Sequence, residues 1–145
     1  MTDVANPALD TPLRLTVVNG DLSYAQFPVI VGHFAGDAIS GSEARLDSTL
    51  GGILSQRSAL GSYPAAVGSV AYVAQPADRR PGGVVVGLGA VSAFSADTIR
   101  SALVAGLIEL ALGEGQFARL RDTIGRLDGS AATTPNGAAM VLIGA

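Results

Sequence analysis

The sequence contains no cysteine, no lysine and no tryptophan, and its only histidine is His33. Without cysteine there is no disulfide, no thiolate nucleophile and no Cys-ligated zinc. The missing lysine removes Schiff-base chemistry and the phosphate-binding lysine of a P-loop. A lone imidazole cannot build a multi-histidine metal site, and no cofactor is expected. Charge is scarce as well: 14% of residues are charged, the net charge is −3, and all nine basic residues are arginines. They form no concentrated basic footprint, which argues against nucleic acid and anionic membranes as main partners. No uninterrupted apolar run approaches the ~20 residues of a spanning helix, and the first residues lack the charged-then-apolar layout of a signal peptide. A cytoplasmic location is the resulting expectation.

What is present is an aliphatic core-former. The chain has 145 residues, 48% hydrophobic but only 5% aromatic, enough for a single domain with one core. Residues 1–12, with Pro7 and Pro12, read as a flexible leader, and 13–145 as one domain, cut from a longer protein because an apolar strand runs almost to the last residue. Leu13, Leu15 and Val17 alternate with polar residues as in a half-buried strand ending at Asn19-Gly20. A second strand is predicted over 27–34. Ser40 and Glu43 have the spacing of a capping box, followed by the helical stripe Leu46, Leu50, Ile53 and Leu54; Gly51-Gly52 within it predicts close packing or a break. Strands are predicted over 67–74 and 83–89, the latter apolar on both faces. Ser95 or Asp97 begins a helix to about Leu112 that has almost no polar face and so should be buried on most sides. A separate helix carries Phe117, Leu120, Ile124 and Leu127, and a last strand covers 138–143. The order predicts an α/β fold with a mixed sheet of about five or six strands flanked by helices. Its core should hold Leu46, Leu50, Val85, Leu103, Leu107, Leu120 and Ile143.

Few motifs carry chemistry. Gly87 and Gly89 follow a strand where a phosphate-cradling loop would sit, but the next helix starts too late for a dinucleotide fingerprint. They read as a tight strand exit and close packing, with phosphate binding as the alternative. His33 and Asp37 could form an acid/base couple, yet no nucleophile-elbow serine accompanies them, and His33 reads as structural or exposed. Arg79-Arg80 reads as a solvated turn that could serve as a docking point, and Asp21 as a turn aspartate.

Three segments resemble the amino-terminal, macro-like domain of leucine aminopeptidases: the early hairpin, the stretch Gly41-Ser42-Glu43-Ala44-Arg45-Leu46-Asp47 with Leu50-Gly51-Gly52, and Val86-Gly87-Leu88-Gly89 followed by Asp97-Thr98-Ile99-Arg100-Ser101-Ala102-Leu103. They span most of residues 13–112. The stretches Pro28-Val29-Ile30-Val31-Gly32-His33-Phe34 and Leu60-Gly61-Ser62-Tyr63-Pro64 are similar to the version of this module associated with bacterial CHAT (caspase-like) proteases. The resemblance implies a macro-like three-layer sandwich. It also implies a non-catalytic accessory domain for protein docking or regulation, in a bacterial stress or defence protein whose catalytic residues lie elsewhere. Its expected partner is a neighbouring protease-type domain or a second copy of itself, with Tyr63, Pro64, Arg79 and Arg80 as docking candidates. The alternative is a macro-type nucleotide or ADP-ribose module. Gly20-Asp21-Leu22 resembles the turn whose aspartate meets adenine in that family, and Asp21, Gly87 and Gly89 would be the ligand-binding residues. The asparagine-rich segment expected after the second strand is replaced by Gly-His-Phe-Ala-Gly-Asp at 32–37.

Overall fold

A computed structural model describes residues 14–17, 19–74, 82–128 and 138–141, with 114–128 described by their backbone. The six-residue apolar run Val29–Phe34 forms β1, and the valine-rich Gly83–Gly89 forms β3 beside it in parallel, with Val31 opposite Val85 and His33 opposite Gly87. Val70–Val73, β2, pairs antiparallel with β3 on its other side, and the short Ala139–Met140, β4, pairs parallel with β1. The sheet is therefore mixed, in the order β2-β3-β1-β4. Where five or six strands are predicted, the described residues form four. The difference lies at 14–17, which pair with nothing as a strand: Leu15 is 81% exposed and Val17 80%. Alternation alone does not make those residues a strand.

Residues pointing to opposite sides of a strand alternate, and the two faces of β1 and β3 collect two separate cores. Val29, Val31 and Val85 pack with Leu46, Leu50 and Leu54 of the helices α1 (Gly41–Thr49) and α2 (Ile53–Ala59). Ile30, Val84, Val86 and Leu88 pack with Ala102 and Leu110 of α3 (Ala96–Asp128). The result is a three-layer α/β sandwich. Of the predicted core, Leu46, Leu50 and Val85 are buried and Leu103 is half-buried. Leu107 is not core, and Leu120 and Ile143 lie outside the described side chains.

Helix boundaries follow glycine chemistry. Gly51 and Gly52 hold φ values of +74° and +83°, backbone that L side chains rarely adopt, and they break the predicted single helix into α1 and α2. At α3 the outcome is the reverse. The two helices expected over 95–112 and 117–127 are one continuous helix, begun by Ser95, whose Oγ accepts from the Thr98 N–H at 3.2 Å. Glycines inside it are retained for packing: a Cβ on Gly106 would stand 2.8 Å from Val86, and one on Gly113 would stand 2.5 Å from Tyr72. The helix can therefore lie close on the sheet. Among the described residues no helix is long and apolar enough to cross a membrane.

Candidate functional site

In α/β sheets, the carboxyl ends of parallel strands are where ligands collect. At that end of β1, His33 is 6% exposed and sits on the α1/α2 side of the sheet. Its partner is not Asp37, which is exposed, but Glu43 of α1. The His33 Nδ1 lies 3.0 and 3.1 Å from the two Glu43 carboxylate oxygens, and the Tyr63 hydroxyl donates to Glu43 Oε1 at 2.9 Å. The His33 and Tyr63 rings meet edge to face with centroids 4.7 Å apart. A carboxylate only accepts, so Nδ1 carries its hydrogen, and Nε2 has no hydrogen-bond partner among the described residues. Burial, together with the hydrogen bond to Glu43, raises the Tyr63 phenol far above its usual range.

The predicted capping box is thereby undone. Ser40 caps α1 by its backbone position without a side-chain bond, and Glu43, 8% exposed, turns inward. Asp47, one turn further along the same helix, is also buried. Its Oδ1 accepts from the Leu54 N–H at 2.8 Å and the Ser55 N–H at 3.3 Å, and its Oδ2 from the Ser55 hydroxyl. It caps α2 across the Gly51-Gly52 break.

Glu43 and Tyr63 are the residues that the sequence reading misses here. The available signal was His33 itself, because a lone histidine on an apolar strand must find a polar partner once buried.

The residues named for nucleotide binding are otherwise engaged. Asp21 accepts from the Ser23 N–H at 2.8 Å, capping a 3-10 turn over Leu22–Tyr24. It also receives Arg45 Nε at 3.1 Å and Nη2 at 2.8 Å. The Arg45 hydrogen bond, helped by Ser23, holds its carboxyl well below the usual range, while Arg45 is raised in turn. The Gly87 and Gly89 N–H groups donate to the carbonyls of Ser69 and Ala65, both at 2.8 Å, so neither is free to cradle a phosphate. A Cβ on Gly87 would collide with the Ala66 carbonyl and Ser69 Oγ. Close approach of the 65–69 loop is the reason for that glycine.

The proposed docking residues fare unevenly. Pro64 is buried and Tyr63 is half-buried, its hydroxyl turned to Glu43. Arg79 and Arg80 lie outside the described residues.

Among the described residues, His33 offers an imidazole that can hold or pass one proton. The Ser55 hydroxyl is given to Asp47 and that of Ser69 to the Ala66 carbonyl, and among the described residues no group of three His, Asp or Glu side chains could hold a metal.

A different surface stands out on α3. Its inner face, with Ala102, Gly106 and Leu110, is buried, but Val104, Leu107, Ile108 and Leu112 are each about half exposed, at 49 to 58%. Ala111 is exposed between them. The helix predicted to be buried on most sides is buried on one up to Gly113, and no described residue covers the apolar strip on its outer face. Neither a protein-family model nor a curated protein matches this chain.

Proposed function

We propose that this chain is a macro-like, non-catalytic docking domain that engages protein through the outer face of α3. The observation that carries the reading is the strip Val104, Leu107, Ile108, Ala111 and Leu112, apolar and exposed on an otherwise amphipathic layer. A soluble domain rarely leaves neighbouring large apolar side chains uncovered unless something else covers them. The polar cluster at His33 supports the non-catalytic part, since the Glu43 carboxylate is occupied by the internal donors His33 and Tyr63. The resemblance to CHAT-associated modules supports a protease-type neighbour or a second copy as the partner, in a bacterial stress or defence setting.

Light scattering at micromolar concentration and binding of a set of amphipathic helical peptides test this, with V104D/I108D as the comparison. The wild-type chain is expected to associate with itself or to bind peptide, and the variant to do neither while keeping its far-UV circular dichroism. A wild-type chain that stays monomeric and binds no peptide overturns the reading.

A further inference from the structure

The exposed strip on α3 has an order that says more than apolarity. At about 100° per residue, positions 97, 101, 104, 108, 112, 115 and 119 all fall within about 40° of one line along the helix. By sequence these are Asp97, Ser101, Val104, Ile108, Leu112, Gly115 and Arg119, and all belong to α3. The line has an acid at one end, a base at the other, small residues next inward, and an aliphatic centre. Reversed about Ile108, it matches itself: position 97 falls on 119, 101 on 115, and 104 on 112. Asp97 is exposed at the surface, where its carboxylate pairs with Arg100 of the same chain at 3.5 Å.

A twofold interface requires this property, because residue i of one copy meets j of the other and j meets i. A heterologous partner imposes no such palindrome. Resting on the docking reading above, we infer that the occupant of the α3 face is α3 of a second copy of this chain, packed antiparallel about a twofold axis at Ile108. Ile108 then meets its own copy at the axis, Val104 meets Leu112, and the Asp97 and Arg119 positions close both ends with opposite charge. Contact through one helix face is at the small end of stable interfaces, which fits a reversible dimer at micromolar concentration.

The absence of cysteine makes the geometry directly testable in the full chain. Under mild oxidation, I108C alone is expected to form a covalent dimer, since its two copies face each other across the axis. V104C and L112C are expected to stay monomeric separately and to cross-link when mixed, because each lies about 12 Å from its own copy along the axis direction.

Sedimentation velocity of D97R and of R119D should each show dimerisation weakened about tenfold, because every reversal spoils two symmetric pairs. The combined D97R/R119D should recover it. Melting by circular dichroism checks that each variant is folded, and the cysteine pattern stands independently if a charge variant is not.

Self-cross-linking of V104C and L112C separately would mean a parallel pairing and overturn the inference, while the docking reading survives. A monomeric chain without I108C cross-linking also overturns it. The peptide arm then decides the docking reading on its own: peptide binding lost in V104D/I108D keeps that reading, and no binding removes it.

Discussion

Replacing Glu43 with alanine removes the acceptor shared by the buried His33 and the half-buried Tyr63, and its cost can be worked from the geometry. His33 Nδ1 loses contacts at 3.0 and 3.1 Å, and at 6% exposure water has little access to replace them. A hydrogen bond to a charged group contributes about 1.5–3 kcal/mol when its loss leaves the partner buried. Tyr63 is half-buried and can turn its hydroxyl toward solvent, so its loss adds only about 0.5–1 kcal/mol. Release of the carboxylate's own burial cost offsets part of this, leaving Glu43→Ala destabilised by roughly 2–3 kcal/mol. At about 3 °C per kcal/mol for a domain of this size, the midpoint of thermal unfolding should fall by roughly 6–9 °C. Glu43→Gln keeps the shape and one acceptor, and should lose about half as much. Urea unfolding followed by far-UV circular dichroism is the suitable assay, since the chain has no tryptophan and three tyrosines. A Glu43→Ala loss within about 0.5 kcal/mol of zero, typical of a surface site, would refute the picture of a buried shared acceptor. So would strict additivity with His33→Phe, because residues in direct contact couple by about 0.5 kcal/mol or more.

Gly87→Ala should lower the urea midpoint by an amount equivalent to about 1–3 kcal/mol at unchanged slope, because its Cβ has no room against the Ala66 carbonyl and Ser69; a neutral variant would show that the 65–69 loop yields freely. The raised Tyr63 phenol predicts a loss of stability in alkali. The unfolded chain gives up that proton near pH 10 while the folded chain holds it, so stability present below about pH 10 declines as pH rises further. Tyr63→Phe should flatten that decline, and an unchanged alkaline profile would contradict it. ADP-ribose, NAD and ATP should leave the thermal midpoint in place, given the engaged amides of Gly87 and Gly89; a shift abolished by Asp21→Ala would instead establish the macro-type ligand site.

The elements legible in the sequence are those whose signal is local. The run at 29–34 and the valines at 84–86 announce buried strands by composition, and Ser95 announces the start of α3 by its cap. The Gly51-Gly52 pair permits either a break or close packing; both glycines have φ > 0 and nothing near a would-be Cβ, so the break is realised. What the sequence conceals is decided by tertiary contact. Glu43 three residues after Ser40 has the local form of a capping box, but a buried imidazole on the neighbouring strand competes for the same carboxylate and wins. Gly113 and Gly115 resemble the end of a helix. Each costs about 1 kcal/mol relative to alanine in a helix, yet Gly113 is the residue that lets Tyr72 approach, and the helix runs on. The alternation at 13–17 has strand periodicity, but periodicity alone does not make a strand.

The outer face of α3 departs from its sequence pattern for a related reason. A helix apolar all round is expected to be buried all round, and the sequence pattern does not say whether the burying surface belongs to the same chain. The inner face explains how the outer one is aimed. Gly106 and Gly113 are separated by seven residues, two turns, and lie against Val86 and Tyr72 of the sheet, so α3 is held flush by two points along its inner line. Rotation of the helix about its axis would drive a side chain into the space those glycines leave. Val104, Ile108 and Leu112 lie on the opposite side of the same two turns, and their outward direction is consequently set by residues with no side chain at all. An alanine at Gly106 or Gly113 should therefore disturb association through the outer face as well as packing on the inner one, although neither position can touch a partner.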